Sequence, residues 1–470
     1  MTDFTPDLCI VGAGSAGLSL AAGAAGVGAE VVLIEKGAMG GDCLNVGCVP
    51  SKSLIAAGRR AAAMRASAPF GIAAVKPAID ADAVRAHVRD VIAGIAPNDS
   101  VERFEGLGVR VIKAAARFTG PDTLEAGGHT VRARRFALAT GSRPVAPPIP
   151  GLDAVPYLTN ETVFDVAPAF DRLLVVGGGA IGCELAQACR RLGAGVTLVE
   201  MGKILAKDDP ELVAYVRARM AAEGVDLIED AKVKRVEAGP ALVVEAGDGE
   251  RRVAGSHLLV ATGRRPVTDG LGLEAAGIAF GKGGIEVDAH LRTSNRRVYA
   301  IGDCKGPPMF THAAGHEAGV VLQNALFRLW AKPANASTPH VTFTDPELAQ
   351  VGLTEAEAKE RHGEGVRVLR WSFSDNDRAR AERLEGLAKI VLDKKGNVVG
   401  AGIAGEGAGD LLVPWQLVMA GKADLKDLAR LVVPYPTLSE VSKRAAGSFY
   451  APKLFGTWSR RAVSLLKRLP

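Results

Sequence analysis

The sequence predicts an α/β protein with two Rossmann-like dinucleotide-binding domains and a C-terminal α+β domain. Three observations carry the prediction. A strand–glycine–helix fingerprint occurs twice, two apolar strands end in the same Ala-Thr-Gly, and the chain changes character at His340. At 470 residues the chain is too long for one hydrophobic core. The expected organisation is 1–148 for the first part of one nucleotide domain, 149–267 for the second, 268–339 for a return to the first, 340–450 for the α+β domain, and 451–470 for a basic amphipathic tail.

In the first copy, Leu8 to Val11 reads as a buried strand, Gly12-x-Gly14-x-x-Gly17 opens a helix, and Glu35 closes the strand Val31 to Ile34. In the second, Leu173 to Val176 is followed by Gly177-x-Gly179-x-x-Gly182, and Glu200 closes Val196 to Val199. The acid lies 23 residues after the first glycine in both copies. The first glycine permits a tight turn, the second lets a pyrophosphate approach the backbone, and the third lets helix and strand pack closely. The positive end of the helix then faces the phosphates, and the acid accepts from a ribose hydroxyl. A lone fingerprint is weak, whereas two with matched acids are specific. Phe136 to Gly141 and Leu258 to Gly263 both end in Ala-Thr-Gly and are expected to return to their sheets beside the nucleotides, placing Thr140, Gly141 and Gly263 there. Pro144, Pro147, Pro148 and Pro150 mark a linker, and Ile285 to Asp303 carries strand signals. After His340 strands alternate with amphipathic helices, without a third fingerprint.

Between the first copy and its next strand lies Gly40-Gly41-Asp42-Cys43-Leu44-Asn45-Val46-Gly47-Cys48-Val49-Pro50-Ser51-Lys52. A dithiol beside a nucleotide site points to electron transfer through sulfur. Six cysteines in a chain this long are no disulfide scaffold. Cys9, Cys183, Cys189 and Cys304 read as small buried hydrophobes. One reversible pair in an otherwise reduced chain suits the cytoplasm. The two cysteines are expected in the first turns of one helix, distorted near Gly47, whose N-terminus favours thiolate. Leu8 to Ala29 carries no charge, but Asp3 and Asp7 precede it and six glycines interrupt it, so neither a signal peptide nor a span is expected. Basic residues number 57 against 52 acidic. The excess of five is Lys453, Arg460, Arg461, Lys467 and Arg468, so the body is neutral and nucleic-acid binding is not expected. No resident metal site is expected either.

These motifs, with Gly302-Asp303 and Tyr435-Pro436-Thr437-Leu438-Ser439-Glu440, resemble the flavin-dependent pyridine nucleotide–disulfide oxidoreductases, which include dihydrolipoamide dehydrogenase, glutathione reductase and mercuric reductase. The resemblance runs from Asp7 to about Phe449. It implies FAD at the first fingerprint, with Gly41, Asp42, Asp303 on the ribityl chain, and Thr311 and His312 near the flavin. It implies a nicotinamide nucleotide at the second, and a homodimer formed through the C-terminal domain. Cys48 is implied to face the flavin and Cys43 the substrate, with Lys52 near flavin N5 and paired to Glu184. Glu200 accepts from a free 2′-hydroxyl and repels a 2′-phosphate, which favours NAD over NADP.

The sequence also departs from the pattern. Dihydrolipoamide dehydrogenases and glutathione reductases carry a histidine where Tyr435 stands, which reaches the partner subunit's dithiol as acid–base catalyst and is oriented by the residue matching Glu440. A phenol, with an ordinary pKa of about 10, is a poor proton acceptor near neutrality. Mercuric reductases do place a tyrosine there, yet they carry a C-terminal cysteine pair, and no cysteine follows Cys304 here. A disulfide, a metal ion and a quinone therefore all stand as acceptors. Trp458, Ala462, Leu465, Leu466 and Leu469 recur at helical spacing with the basic residues off that stripe, which fits a helix docked on the dimer or lying on an anionic membrane. The alternatives to a disulfide or metal reductase are a membrane-associated NADH:quinone reductase and a docked subunit of a larger dehydrogenase complex.

Overall fold

The computed structural model describes residues 3–247, 249–334 and 338–469. Internal contacts divide the chain into two compact units, residues 1–201 with 226–335, and residues 202–225 with 336–470.

The first unit holds two parallel sheets. Leu8–Val11 is buried along its whole length, as a strand covered on both faces must be. It pairs in parallel with Val31–Ile34 on one side and Arg135–Leu138 on the other. Arg110–Ile112 and the late strand Val298–Ala300 complete a five-stranded sheet with those two at its edges. Helices Ser15–Gly26 and Thr311–Leu326 flank it, and Ile10, Leu20, Leu33 and Val321 belong to one buried core. The second sheet has Arg172–Val176 at its centre, parallel to Gly195–Val199 and His257–Val260, with Val225–Ile228 outermost. Strands Ser142–Pro144 and Arg264–Pro266, each following an Ala-Thr-Gly, pair antiparallel and join the two repeats.

Of the strand signals between Ile285 and Asp303, only Gly284–Ile285 and Val298–Ala300 are strands. Asp288 Oδ1 accepts from the amides of His290 and Arg292, which folds the intervening chain into a turn instead.

The second unit is a five-stranded antiparallel sheet in the order His340–Thr342, Glu347–Gly352, Val398–Gly405, Leu387–Leu392, Arg367–Ser372. Trp415 is fully buried in its core and its indole N–H donates to Ser442 Oγ at 3.0 Å. The buried Lys389 ammonium lies 2.8 Å from carboxylate oxygens of Asp209, Glu211 and Glu355. Three acids around one cation satisfy a charge that burial alone would expel. Hydrogen bonds from Lys359 and then Lys389 hold the Glu355 carboxyl down to about 2. Beyond this core, helix Thr457–Leu466 has no buried residue.

Candidate active site

Both glycine fingerprints are built alike. A Cβ on Gly17 would stand 1.8 Å from the Gly12 carbonyl oxygen, and one on Gly182 would stand 1.9 Å from that of Gly177. No side chain fits between helix and strand at either place. Gly12 and Gly177 also adopt positive φ, at 107° and 109°, and press on the carbonyls of Ala139 and Ala261. The first glycine of each copy therefore touches its own Ala-Thr-Gly strand. The second glycines differ in kind: a Cβ on Gly179 meets nothing within 4 Å, and one on Gly14 meets only the Gly41 Cα at 3.8 Å. That open space above a helix N-terminus is what a pyrophosphate needs. The acids sit at the rims. Glu35 accepts from the amides of Ala13 at 2.7 Å and Gly37 at 2.6 Å, and Glu200 accepts from Gly178 at 2.6 Å. A carboxylate offers about four lone-pair sites, so backbone amides and a ribose hydroxyl can share it. The residues present fit two dinucleotides.

The Ala-Thr-Gly threonines have a further task. Thr140 Oγ1 donates to the Val267 carbonyl at 2.7 Å, and Thr262 Oγ1 donates to the Val145 carbonyl at 3.0 Å. Each threonine thus bonds to the strand that follows the other copy. Gly141 and Gly263 complete the exchange by accepting from Val267 and Val145.

The dithiol departs from the expected single helix. Cys43 lies in a short helix, Gly41–Asn45, and Cys48 is the first residue of a second helix, Cys48–Arg65. The break falls at Val46–Gly47. A Cβ on Gly47 would lie 2.8 Å from the Asp42 carbonyl oxygen, so the chain folds back on the short helix there. The break places both sulfurs together, free of the roughly 100° per residue that a continuous helix imposes. Gly41, at φ 58°, packs against Gly14, since a Cβ on it would meet the Gly14 Cα at 2.7 Å. The dithiol segment is thereby set at the rim of the first cradle.

In the structure both cysteines are free thiols. The hydrogen bond from Cys43, then that from Thr311 and the charge of Lys52, lower Cys48 to about 6 against the opposing effects of burial and Glu184. The same shared bond, followed by burial, raises Cys43 well above the ordinary thiol range. The shared hydrogen bond thus favours the thiolate on Cys48 and the thiol on Cys43. Cys48 Sγ lies 3.5 Å from the Thr311 hydroxyl, at the start of helix Thr311–Leu326. Lys52, one turn along from Cys48, pairs with buried Glu184 at 2.8 Å. His312 stacks on Phe310, with ring centroids 5.3 Å apart and planes at 9°.

Asp303 is held by groups that the sequence did not single out. Its carboxylate accepts from Ser142 Oγ at 2.6 Å. Ser142 Oγ in turn accepts from Arg264 Nε at 2.8 Å, and the same guanidinium reaches the Ser142 carbonyl, Asn160 Oδ1 at 3.1 Å and the Asp42 carboxylate. Arg264 therefore ties the end of the second repeat to the residue before Cys43. On the other side, Glu317 accepts from the Gly302 amide at 2.8 Å and lies 2.9 Å from buried Lys305, pinning the Gly302–Asp303 turn. The position of Arg264 directly after Gly263 was visible in the sequence, but no spacing told that it folds back on Asp42.

Tyr435 and Glu440 lie in the second unit. The Tyr435 hydroxyl donates to Asp377 Oδ2 at 2.8 Å, and that bond is the leading cause raising its pKa. Glu440, in the first turn of helix Ser439–Ser448, is 3.8 Å from Arg444.

Known proteins share this construction. Residues 6–318 match the family model described as pyridine nucleotide-disulphide oxidoreductase, and residues 338–446 match its dimerisation domain. The chain belongs to that family. It is 35% identical to a mercuric reductase of Streptomyces lividans, over 94% of this chain and 96% of that protein. Its identity to a mercuric reductase of Bacillus cereus is also 35%, over 94% of this chain and 71% of the relative. To a dihydrolipoyl dehydrogenase of Thermus scotoductus it is 36% identical over 99% of this chain and the whole relative. Among solved structures, the Cu(II) complex of the HOCl-induced flavoprotein disulfide reductase RclA from Escherichia coli superposes with a TM-score of 0.83 at 26% identity, covering 93% of this chain and 98% of that one. The protein is thus an FAD-dependent pyridine nucleotide–disulfide oxidoreductase that uses NAD(P)H, and its dimerisation domain makes it a homodimer. Among the described residues no helix is long and apolar enough to cross a membrane.

Proposed function

We propose that the enzyme takes electrons from NADH and passes them through the Cys43–Cys48 pair to a thiophilic acceptor, a soft metal ion bound by thiolates. Glu200, fixed by the Gly178 amide at the rim of the second cradle, disfavours a 2′-phosphate and supports NADH over NADPH. Gly12, Gly14, Gly17, Glu35, Gly41, Thr140, Gly141, Asp303, Thr311 and His312 would hold FAD, and Gly177, Gly179, Gly182, Glu200 and Gly263 the nicotinamide nucleotide. Bound FAD supplies the two-electron relay between nicotinamide and sulfur. Lys52, oriented by Glu184, holds positive charge beside Cys48. Two electrons entering the oxidised pair break its S–S bond. Cys48 keeps the thiolate, and Cys43 takes one proton from solvent, in keeping with their opposite displacements in pKa. Cys43, as the exchange thiol, then meets the acceptor.

The observation that carries the metal reading is Tyr435. Its hydroxyl is committed as a donor to Asp377, and its raised pKa keeps it protonated. It is therefore no base near neutrality. Thiol–disulfide exchange with a small disulfide needs the Cys43 proton taken away for the attack and a proton returned to the expelled thiolate, a shuttle for a group that titrates near neutrality. Mercuric ion held by both sulfurs, with the Cys43 proton released to solvent, takes two electrons and departs as neutral metal, and two cupric ions take one electron each and leave as cuprous ions. In both cases the sulfurs return to disulfide and no proton has to be handed to a leaving thiolate. The names of the relatives, mercuric reductases and a copper-complexed disulfide reductase, are consistent with that class.

The test is to reduce the holoenzyme anaerobically with NADH and follow reoxidation by mercuric ion, cupric ion, lipoamide, oxidised glutathione and a soluble quinone. Mercuric or cupric ion is expected to outpace lipoamide and glutathione. Replacement Tyr435→His is expected to raise lipoamide turnover by about 10²-fold, the scale of one general acid–base group. Fast lipoamide turnover by the unaltered protein would overturn the metal reading.

A further inference from the structure

Residues 451–470 lie beyond both stretches that match the family, and the electron path makes no use of them. Helix Thr457–Leu466 buries none of its residues. Trp458 is 82% exposed, Leu465 66% and Leu469 64%. At about 100° per residue, Trp458, Ala462, Leu465 and Leu466 share one side of the helix, with Arg460 opposite, and Lys467, Arg468 and exposed Leu469 follow its end. Arg461 borders the apolar stripe, and its guanidinium lies 5.9 Å from the Trp458 ring centroid. Leu454 and Phe455, also exposed, precede the helix. The segment carries five basic residues and no acid.

Within its own chain this helix does not bury its apolar stripe. The charge decides between the occupants. A second copy of the segment brings the same five positive charges and is repelled. A nucleic acid meets the cations and leaves the leucines and Trp458 wet. An anionic bilayer satisfies both faces: the apolar stripe enters the acyl boundary, Trp458 sits at the headgroup level, and the arginines and lysines reach lipid phosphates.

We propose that residues 451–469 form a peripheral anchor that lays the enzyme on an anionic membrane surface. The anchor rests on no assumption about the acceptor. The experiment is co-sedimentation of the FAD-loaded full chain with phosphatidylglycerol–phosphatidylcholine vesicles and with pure phosphatidylcholine vesicles. Binding is expected to be at least tenfold greater on the anionic vesicles and to weaken with salt. The combined variant R460E/R461E/K467E/R468E is expected to lose that binding while keeping flavin content, dimer mass and NADH oxidation. The variant W458S/L465S, which retains every charge, is expected to bind more weakly than the unaltered chain. Equal sedimentation of the unaltered chain and the charge-reversed variant would overturn the anchor. So would tighter binding to a short DNA duplex than to vesicles, or conversion of dimer to monomer on deleting residues 452–470, which would show the stripe covered by a second copy.

Discussion

The first and second nucleotide units share one construction and differ in what is attached to it. Each has a third glycine pressed under 2 Å from where a Cβ would meet the first glycine's carbonyl, an Ala-Thr-Gly strand against the first glycine, and an acid held by a backbone amide at the rim. The first unit continues into a broken helix with two thiols. The second instead sends Glu184 and Arg264 toward that segment, one to Lys52 and the other to Asp42. The repeat makes two binding sites, and the unlike attachments give them unlike work.

The largest test of that comparison is to break the two cradles separately. Gly17→Ala drives a methyl into the Gly12 carbonyl and is expected to leave protein without FAD and without activity. Gly182→Ala makes the matching clash in the second copy and is expected to leave FAD bound while abolishing its reduction by NADH. Absorbance of the purified variants and anaerobic titration check both. Loss of FAD from the Gly182 variant alone would reverse the assignment.

A smaller effect sharpens the role of the attachments. Arg264→Met removes a guanidinium that joins Ser142, Asn160 and Asp42. FAD release is expected to quicken by roughly tenfold, the scale of one hydrogen bond to a charged group. Arg264→Lys should restore only part, because an ammonium does not reproduce the planar fork. Release rates measured by flavin fluorescence check this.

The smallest effect is a pH midpoint. In the NADH-reduced enzyme, the rate of Cys48 alkylation by iodoacetamide should follow its thiolate, half-maximal near pH about 6, rising to a plateau at higher pH and falling as acid protonates the sulfur. Because the bond from Cys43 is the first cause of the lowering, Cys43→Ala, which removes the donor, is expected to move the midpoint upward, and Thr311→Val to move it upward by less. An unmoved midpoint in the Cys43 variant would mean that Lys52 sets the thiolate instead.

The parts of this fold that were legible in the sequence are those written in local chemistry. Glycine at three fixed places, an acid at a fixed offset and apolar strands between them are dictated by backbone clashes that only nearby residues cause, as at Gly17 and Gly182. The salt bridge of Lys52 with Glu184 was legible only through the family resemblance. What escaped was non-local. Arg264 finds Asp42 across 222 residues, and Ser142 finds Asp303 across 161, through the pairing of two three-residue strands that no periodicity announces. The break between Cys43 and Cys48 escaped for a different reason: Gly47 suggested a loosened turn, but the fold-back onto Asp42 is a tertiary contact. The reciprocal bonds of Thr140 and Thr262 likewise join segments over 100 residues apart.

The central claim is that electrons from the first nucleotide unit lodge on Cys43 and Cys48. The measurement that reaches it most directly counts thiols by mass after alkylation, in air-oxidised enzyme and in enzyme reduced anaerobically with one equivalent of NADH. The account predicts two additional alkylated thiols per chain on reduction, located at Cys43 and Cys48, with Cys9, Cys183, Cys189 and Cys304 unchanged in their burial. Consumption of NADH with no new thiol at either position would contradict it and show that the flavin delivers its electrons without the sulfur pair.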